Sequence, residues 1–545
     1  MSRSTPEIIE NIYEYIGTDY VTLRNMVLVN RNWCKVGIPY LWKAPFSIDK
    51  TNSIKQIQII STYLSFLNNK EYKFFPVQKR TCLFNYPIYL RELEIGNLFY
   101  MIVRWIYQRK IKFVYYENTG RSNFFNNMME ESEDYYNDEN IEYEYYYYTY
   151  YKPTESVIAS SICKLLIKSN AYIENLSVIN TTYNNPFLID ELLIELLNFP
   201  ETKNSLKNLN TLICGSLVTG NVLTSLTGMC HNITKVESKS TKDSTFKKLT
   251  ALIQNQISLR EFTLEDNKSD TTATIISLER HINSLLCINL KDIIIYRHVS
   301  IKSLVKCINL EKLHLEIYFH SFRGVNNKEI LKPLLDAQFF HLKDFNLTLL
   351  GEKTHDDLVL YDILEVVLRN CDENLEKLTL GINFNINSEI FRLVSQLCPN
   401  LTILKLLIQE DEDLSDLLIL LPNLTNLKTL VMTKKPWIEN VLNIHNNPTF
   451  KQISFVLPST VNSLIIDGIL TFEFMQNFIR LFRGFIKEFE YNIFCFADNY
   501  DEENEAHRNL LRNYGDMLIN NEKAINIDIS SNYYRHKMVF RAYYL

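Results

Sequence analysis

Gly and Pro are scarce in this 545-residue chain, 13 and 14 respectively, which excludes a linker-rich or low-complexity protein. No segment approaches the ~18 consecutive apolar residues that cross a bilayer, and Met1-Ser2-Arg3-Ser4-Thr5-Pro6-Glu7 opens no apolar secretory run. These absences lead to the expectation of an intracellular protein, in the cytoplasm or nucleus, without membrane contact. Ten cysteines are scattered without a Cys-x-x-Cys pair, so the thiols read as reduced and neither a disulfide framework nor a zinc ribbon is expected. Phosphate-binding glycine loops, Gly-x-Ser-x-Gly and His-Glu-x-x-His are missing. The acidic run Glu410-Asp411-Glu412-Asp413 lacks the glycine and spacing of a calcium loop. The expectation is a non-catalytic chain with no cofactor and no metal.

Charge of one sign is also missing over most of the chain. The net charge is −6, but residues 122–151 hold eight acids and no Lys or Arg, and the remainder sits near +2. A balanced surface offers no basic stripe, so nucleic acid is not an expected partner. Within 135–151 there are nine tyrosines. Residues 117–155 therefore read as a disordered acidic, Tyr-rich insertion, either a tolerated loop or an interaction element for a basic partner or through tyrosine phosphorylation.

Apolar residues make up 46% of the chain, enough for a sizeable core, and 545 residues imply several domains or one repetitive array. At the N-terminus Thr5 and Pro6 suit a helix start, Ile8, Ile12 and Ile16 recur at four-residue spacing, and Gly17 suits a stop. Leu23, Met26, Val27 and Leu28 form a second apolar series. Trp33, Val36, Ile38, Leu41 and Trp42 form a third, before Pro45. Three helices this short cannot cover all these faces, so a partner surface is expected.

The run Pro6-Glu7-Ile8-Ile9-x-x-Ile12-x-x-Tyr15-Ile16, with Leu23, Val29-Asn30-Arg31-x-Trp33 and Leu41-Trp42, resembles an F-box over residues 1–46, in the variant of large fungal receptor families. Thr5 replaces the usual Leu before the Pro, and Thr22 the acid before the second-helix Leu. The resemblance implies that Pro6, Ile8, Ile9, Ile12 and Leu28 dock on a Skp-type adaptor, which joins a cullin scaffold. The other reading of the same residues is a helical cap that closes an array and binds nothing.

Downstream, the spacing apolar-x-x-apolar-x-apolar returns a dozen times, as in Leu90-Leu93-Ile95, Leu259-Phe262-Leu264, Leu290-Ile293-Ile295, Leu310-Leu313-Leu315, Leu375-Leu378-Leu380 and Leu401-Leu404-Leu406. Such a hexapeptide makes a short strand with one buried side, and intervening runs such as Ile363-Leu364-x-Val366-Val367 have helical spacing. Recurrence mostly every 20 to 34 residues matches leucine-rich repeats. Cys287-Ile-Asn-Leu290, Cys307-Ile-Asn-Leu310, Cys371-Asp-Glu-Asn-Leu375, Cys398-Pro-Asn-Leu401 and Leu421-Pro-Asn-Leu424 resemble the repeats found behind F-boxes. Their cysteines read as small buried apolar residues.

The expected architecture is α/β: an F-box over 1–46, a helical linker with irregular first repeats over 47–116, the insertion over 117–155, and a leucine-rich-repeat solenoid, or horseshoe, over 156–545. Function then falls on the concave face, where Lys312, His314, Glu316, Asp344, Lys377 and Lys405 are expected to meet a protein target. Together these expectations describe the substrate receptor of a cullin-RING ubiquitin ligase. The alternative is a protein-binding or inhibitory repeat scaffold without a ubiquitin role.

Overall fold

The computed structural model describes residues 6–17, 19–47, 53–67, 82–108, 154–179, 186–216, 218–239, 243–265, 271–294, 301–319, 331–351, 357–381, 388–407, 417–433, 456–467, 488–494, 525–532 and 535–542. The chain forms two compact units, Met1–Ile257 and Ser258–Leu545. The acidic, Tyr-rich stretch expected as an insertion lies almost wholly outside the described residues.

The first unit begins with three helices, α1 (Pro6–Ile16), α2 (Tyr20–Val27) and α3 (Arg31–Leu41). Gly17 leaves α1 at φ 62°, a left-handed turn that favours glycine. The Asp19 carboxylate caps α2 by accepting from the amides of Val21 and Thr22, and Asn30 caps α3 in the same way for Asn32 and Trp33. Ile9, Tyr13, Leu23 and Val27 make the core of this head, with Trp33, Val36, Tyr40 and Leu41 packed around it. Gly37 is needed for this closeness: a Cβ there would lie 2.7 Å from Val27 Cγ1 and collide with the Tyr13 hydroxyl.

The head runs directly into the sheet. The Lys43 carbonyl accepts from the amides of Arg91 (2.9 Å) and Glu92 (3.0 Å), at the start of β1 (Glu92–Glu94). Trp42 stacks on Tyr86 at 4.2 Å, and the Tyr20 hydroxyl lies 2.9 Å from the Ala44 carbonyl and 3.1 Å from that of Leu41. Lys43 thus occupies the place of a preceding repeat. The same carbonyl-to-two-amides joint recurs from Arg91 to Glu174 and Asn175, from Glu174 to Asn210 and Thr211, and from Asn210 to Thr234 and Lys235. These joints align β1 with β2 (Asn175–Val178), β3 (Thr211–Cys214) and β4 (Lys235–Lys239), all parallel. The hexapeptide spacing misses β4 because buried Ser238 stands at its last apolar position, after Ile233 and Val236.

Helices α4 (Ser53–Leu64), α5 (Ile95–Gln108), α6 (Thr154–Lys168) and α7 (Pro186–Leu197) pack one against the next. After the short α8 (Thr202–Leu206) the series continues with α9 (Gly220–Met229), which packs on α7, and α10 (Asp243–Gln254).

The second unit repeats the arrangement. Strands β5 (Glu261–Glu265), β6 (Cys287–Ile294), β7 (Lys312–Phe319), β8 (Asp344–Gly351), β9 (Lys377–Gly381), β10 (Ile403–Leu407), β11 (Thr429–Thr433), β12 (Ser463–Asp467) and β13 (Glu488–Phe494) are parallel neighbours in chain order. β14 (Ile525–Asn532) and β15 (Arg535–Ala542) then form an antiparallel hairpin, with β15 beside β13. The parallel series therefore gives way to antiparallel pairing after β13. A hairpin needs only a short connection, whereas another parallel strand needs a crossover of about a dozen residues.

One inward row holds Phe262, Ile288, Leu313, Phe345, Leu378, Leu404, Leu430 and Leu464; the next holds Leu264, Leu290, Leu315, Leu347, Leu380, Leu406 and Met432, all at most 2% exposed. Strand connections differ: 3-10 turns Ile301–Lys306 and Lys332–Asp336 precede β7 and β8, while α12 (Asp357–Cys371) and α13 (Ser388–Leu397) precede β9 and β10. The remaining short helices are α11 (Thr272–Ser277) and α14 (Leu417–Leu420).

One repeat is framed differently from the expectation. Cys287 pairs with Lys312, Ile288 with Leu313 and Leu290 with Leu315, so the hexapeptide here is Leu285-Ile288-Leu290 and not Leu290-Ile293-Ile295. The run is apolar in both frames. A bulge between Leu290 and Ile293 absorbs the extra residue, with Asp292 at φ 51°, a conformation Asp tolerates better than most residues. Cys287 is consequently a strand residue and half-buried, not a buried residue ahead of a strand.

Cys307, Cys371 and Cys398 do stand buried ahead of strands, as does Cys230, and burial pushes each thiol up to about 12. The Asn just before the first Leu of a strand hexapeptide has its own purpose; in the repeat of Leu421-Pro-Asn-Leu424 that residue is Asn426, before Leu427, while Asn423 donates to the Ile419 carbonyl at 2.9 Å. Asn309, Asn374, Asn400 and Asn426 donate to the carbonyls of Asn283, Phe340, Glu373 and Pro399, each one repeat back, at 2.9 to 3.1 Å.

Candidate functional site

Two surfaces carry the residues expected to bind partners. On α1, Ile8, Ile12 and Tyr15 are spaced by four and three residues, one stripe of the helix, and are 52%, 36% and 93% exposed. Val21 and Leu28, seven residues apart in and just after α2, are also open, as are Val29 and Pro6. Leu28 is 76% exposed although it ends a helix whose other side, Leu23 and Val27, is core.

Ile9 does not belong with this surface. It is 1% exposed and sits between Tyr13, Leu23 and Val27, so it holds the head together and cannot touch a partner. Four-residue spacing alone could not separate Ile8 from Ile9, because both fit an apolar helix side. Tyr15, Val21 and Val29, which are not among the expected docking residues, are open as well.

The second surface is the outward side of β5–β12. Register places Lys312, Asp344 and Lys377 in one row and His314, Asn346, Thr379 and Lys405 in the next; Glu316 lies opposite Thr348. Side-chain geometry divides these residues. His314 Nε2 donates to Asp344 Oδ1 at 2.7 Å, and Lys312 Nζ lies 3.4 Å from Asp344 Oδ2. Burial raises the Asp344 carboxyl, but the His314 hydrogen bond and the charges of His314 and Lys312 outweigh it and hold the group below the usual carboxylate range. Lys312 and His314 are therefore already engaged within the chain. Lys377 and Lys405 have no ion-pair partner among the described residues.

The corrected frame of β6 places Cys287 and Asn289 on this surface, in the positions assigned from sequence to later residues. Ile403, Val431 and Ile465 face outward too, each half-buried, and only the observed register brings them beside the two lysines.

His231 Nδ1 accepts from the Asn255 side-chain amide at 2.9 Å, and the Leu259 amide donates to Nδ1 of buried His281 at 3.4 Å; both are tied into the repeat joints. No group of three or more His, Cys, Asp and Glu that could hold a metal occurs among the described residues, nor any helix long and apolar enough to cross a membrane.

No protein-family model and no curated protein matches the chain. The two surfaces therefore have to be read from their own chemistry. What they offer is contact: an apolar helix stripe in the first unit, and rows of polar, cationic and aliphatic side chains in the second.

Proposed function

We propose that the chain is the substrate receptor of an SCF-type ubiquitin ligase, with the head acting as an F-box on a Skp-type adaptor and the leucine-rich-repeat sheet holding the target protein. The observation that carries this reading is the uncovered stripe Ile8, Ile12 and Tyr15, with Leu28 and Val29. A monomer gains nothing from leaving such residues in water while Ile9 and Tyr13 beside them are sealed, and burying each against a partner is worth about 1.5–3 kcal/mol. Transfer of ubiquitin would then be accelerated by proximity, with no catalytic group from this chain.

A second reading, a repeat scaffold without a ubiquitin role, is favoured by the Lys43 carbonyl, through which the head closes the edge of β1. Capping accounts for Lys43, Trp42 and Tyr20. It leaves the outer stripe of α1 without a purpose, which is why the receptor reading is preferred.

Ile8→Asp combined with Ile12→Asp tests it. Both side chains lie outside the core, so the head keeps its fold, while a charge buried in the docked face costs several kcal/mol. Adaptor capture by the full chain should be lost and its circular dichroism retained. Undiminished capture by the double variant, or no capture by the parent chain, removes the receptor assignment.

A further inference from the structure

We infer that the outward side of β9–β12 binds an extended peptide segment bearing an acidic residue and, three residues along, an aliphatic one. The inference deepens the receptor reading, on which its biological purpose rests, but its geometry belongs to the second unit alone.

Leu378 and Leu380, Leu404 and Leu406, Leu430 and Met432, and Leu464 point inward. Alternation therefore places Lys377 and Thr379, Ile403 and Lys405, Thr429 and Val431, and Ser463 and Ile465 together on the other side. In register, Lys377 lies beside Ile403, and Lys405, Val431 and Ile465 follow one another across three strands. The result is a continuous patch, cationic at one end and aliphatic at the other.

The neighbouring strands bound it. On β8 the carboxylate of Asp344 is taken up by His314 and Lys312, and β13 carries Glu488 and Glu490 at the register positions beside Ser463 and Ile465. Among the described residues of β8–β12, the lysines without an ion-pair partner are Lys377 and Lys405, which are diagonal neighbours able to converge on one carboxylate. Charge complementarity selects an acidic group there and disfavours a basic one. Val431 and Ile465 offer branched aliphatic surface that only an apolar side chain rewards.

Strands lie ~4.8 Å apart and an extended chain advances ~3.3 Å per residue, so passing from Lys405 on β10 to Ile465 on β12 takes about three residues. The hydroxyls of Thr379, Thr429 and Ser463 can donate to or accept from the unpaired backbone groups of such a segment. The occupant is therefore an acidic-x-x-aliphatic segment in extended form.

The experiment presents ten-residue peptides to the full chain on an array. One position is fixed as Asp, Asn or Lys, the position three along as Leu or Ser, and the rest are randomised. Asp-x-x-Leu peptides should bind best, ~tenfold above Asn-x-x-Leu or Asp-x-x-Ser. Lys377→Glu with Lys405→Glu should abolish the preference for Asp and transfer it to Lys-x-x-Leu, whereas Lys312→Ala should leave it unchanged. If the doubly reversed chain melts early, Lys405→Ala alone carries the comparison. Equal binding of Asp and Asn peptides, or a preference for Asp that survives the lysine variants, overturns the proposal. Adaptor capture measured on the same preparation keeps the two readings apart. Peptide selectivity without adaptor capture removes only the receptor reading, and capture without selectivity removes only this surface.

Discussion

In the head of the first unit, Ile8, Ile12, Tyr15 and Leu28 stand in water around a core of four residues; in β5–β12 of the second, the two inward rows are at most 2% exposed and the outward residues are mostly polar. Both regions are built from apolar residues at regular spacing. They differ in what covers them. A strand in a stack has neighbours on both sides and a connection packed beneath it, so its apolar side closes completely. A three-helix head has too little mass to cover more than one side of each helix, and what remains open is available to a partner.

Truncation should expose that difference most strongly. Phe345→Ala removes a fully buried ring and should lower unfolding stability by about 3–5 kcal/mol, whereas Leu28→Ala should change it by no more than ~0.5 kcal/mol. Chemical denaturation of the two variants measures both. Comparable losses would mean that Leu28 is covered in solution and that the head is not open as described.

Gly37→Ala probes the head from the inside. A methyl group there collides with the Tyr13 hydroxyl and crowds Val27, and overpacking of this kind costs about 1–3 kcal/mol. Trp33, against the same core, reports the change in fluorescence, and limited proteolysis should cut the head earlier than in the parent chain. An unaltered signal would show that α1 and α3 are not packed this closely.

These two regions were not equally legible in the sequence. Strand existence followed from the hexapeptide spacing at β1–β3, β5 and β7–β12, because period-two alternation with Leu has few other meanings. It failed at β4, where Ser238 replaces an apolar residue, and slipped at β6, where Leu285 to Ile295 is apolar in two frames and only pairing with Lys312 to Leu315 decides. The head's three helices were visible, but which apolar residues stay uncovered was not, since Ile8 and Ile9 differ only in their angle about α1. On the sheet, Lys312 and His314 looked like free cations alongside Lys377 and Lys405. Asp344, 30 residues after His314 in sequence, neutralises the first pair and not the second.

The recurrent Asn gives a smaller effect. Asn400→Ala removes a hydrogen bond to the Glu373 carbonyl at an exposed joint, so about 0.5–1.5 kcal/mol should be lost. A shifted denaturation midpoint with an unchanged slope is the expected result. No shift would mean that these asparagines serve the surface and not the stack.

The smallest expected effect concerns pH, and it separates the engaged from the unengaged cations. The Asp344 carboxyl is held below its usual range in the folded chain despite burial, by the His314 hydrogen bond and the charges of His314 and Lys312. A carboxyl depressed on folding contributes stability that is complete above its unfolded value of about 3.9 and is lost as pH falls through the folded value. The stability difference between the parent chain and Asp344→Asn should therefore hold steady just above pH ~4 and shrink below it. Lys377→Ala and Lys405→Ala should show no such acid-dependent difference, because no described carboxylate pairs with either lysine. Denaturation midpoints across pH 3 to about 6 test both statements. A difference for Asp344→Asn that stays flat to the acid end would mean that Lys312 and His314 are as free as Lys377 and Lys405, and the acidic end of a bound peptide could then lie over either pair of strands.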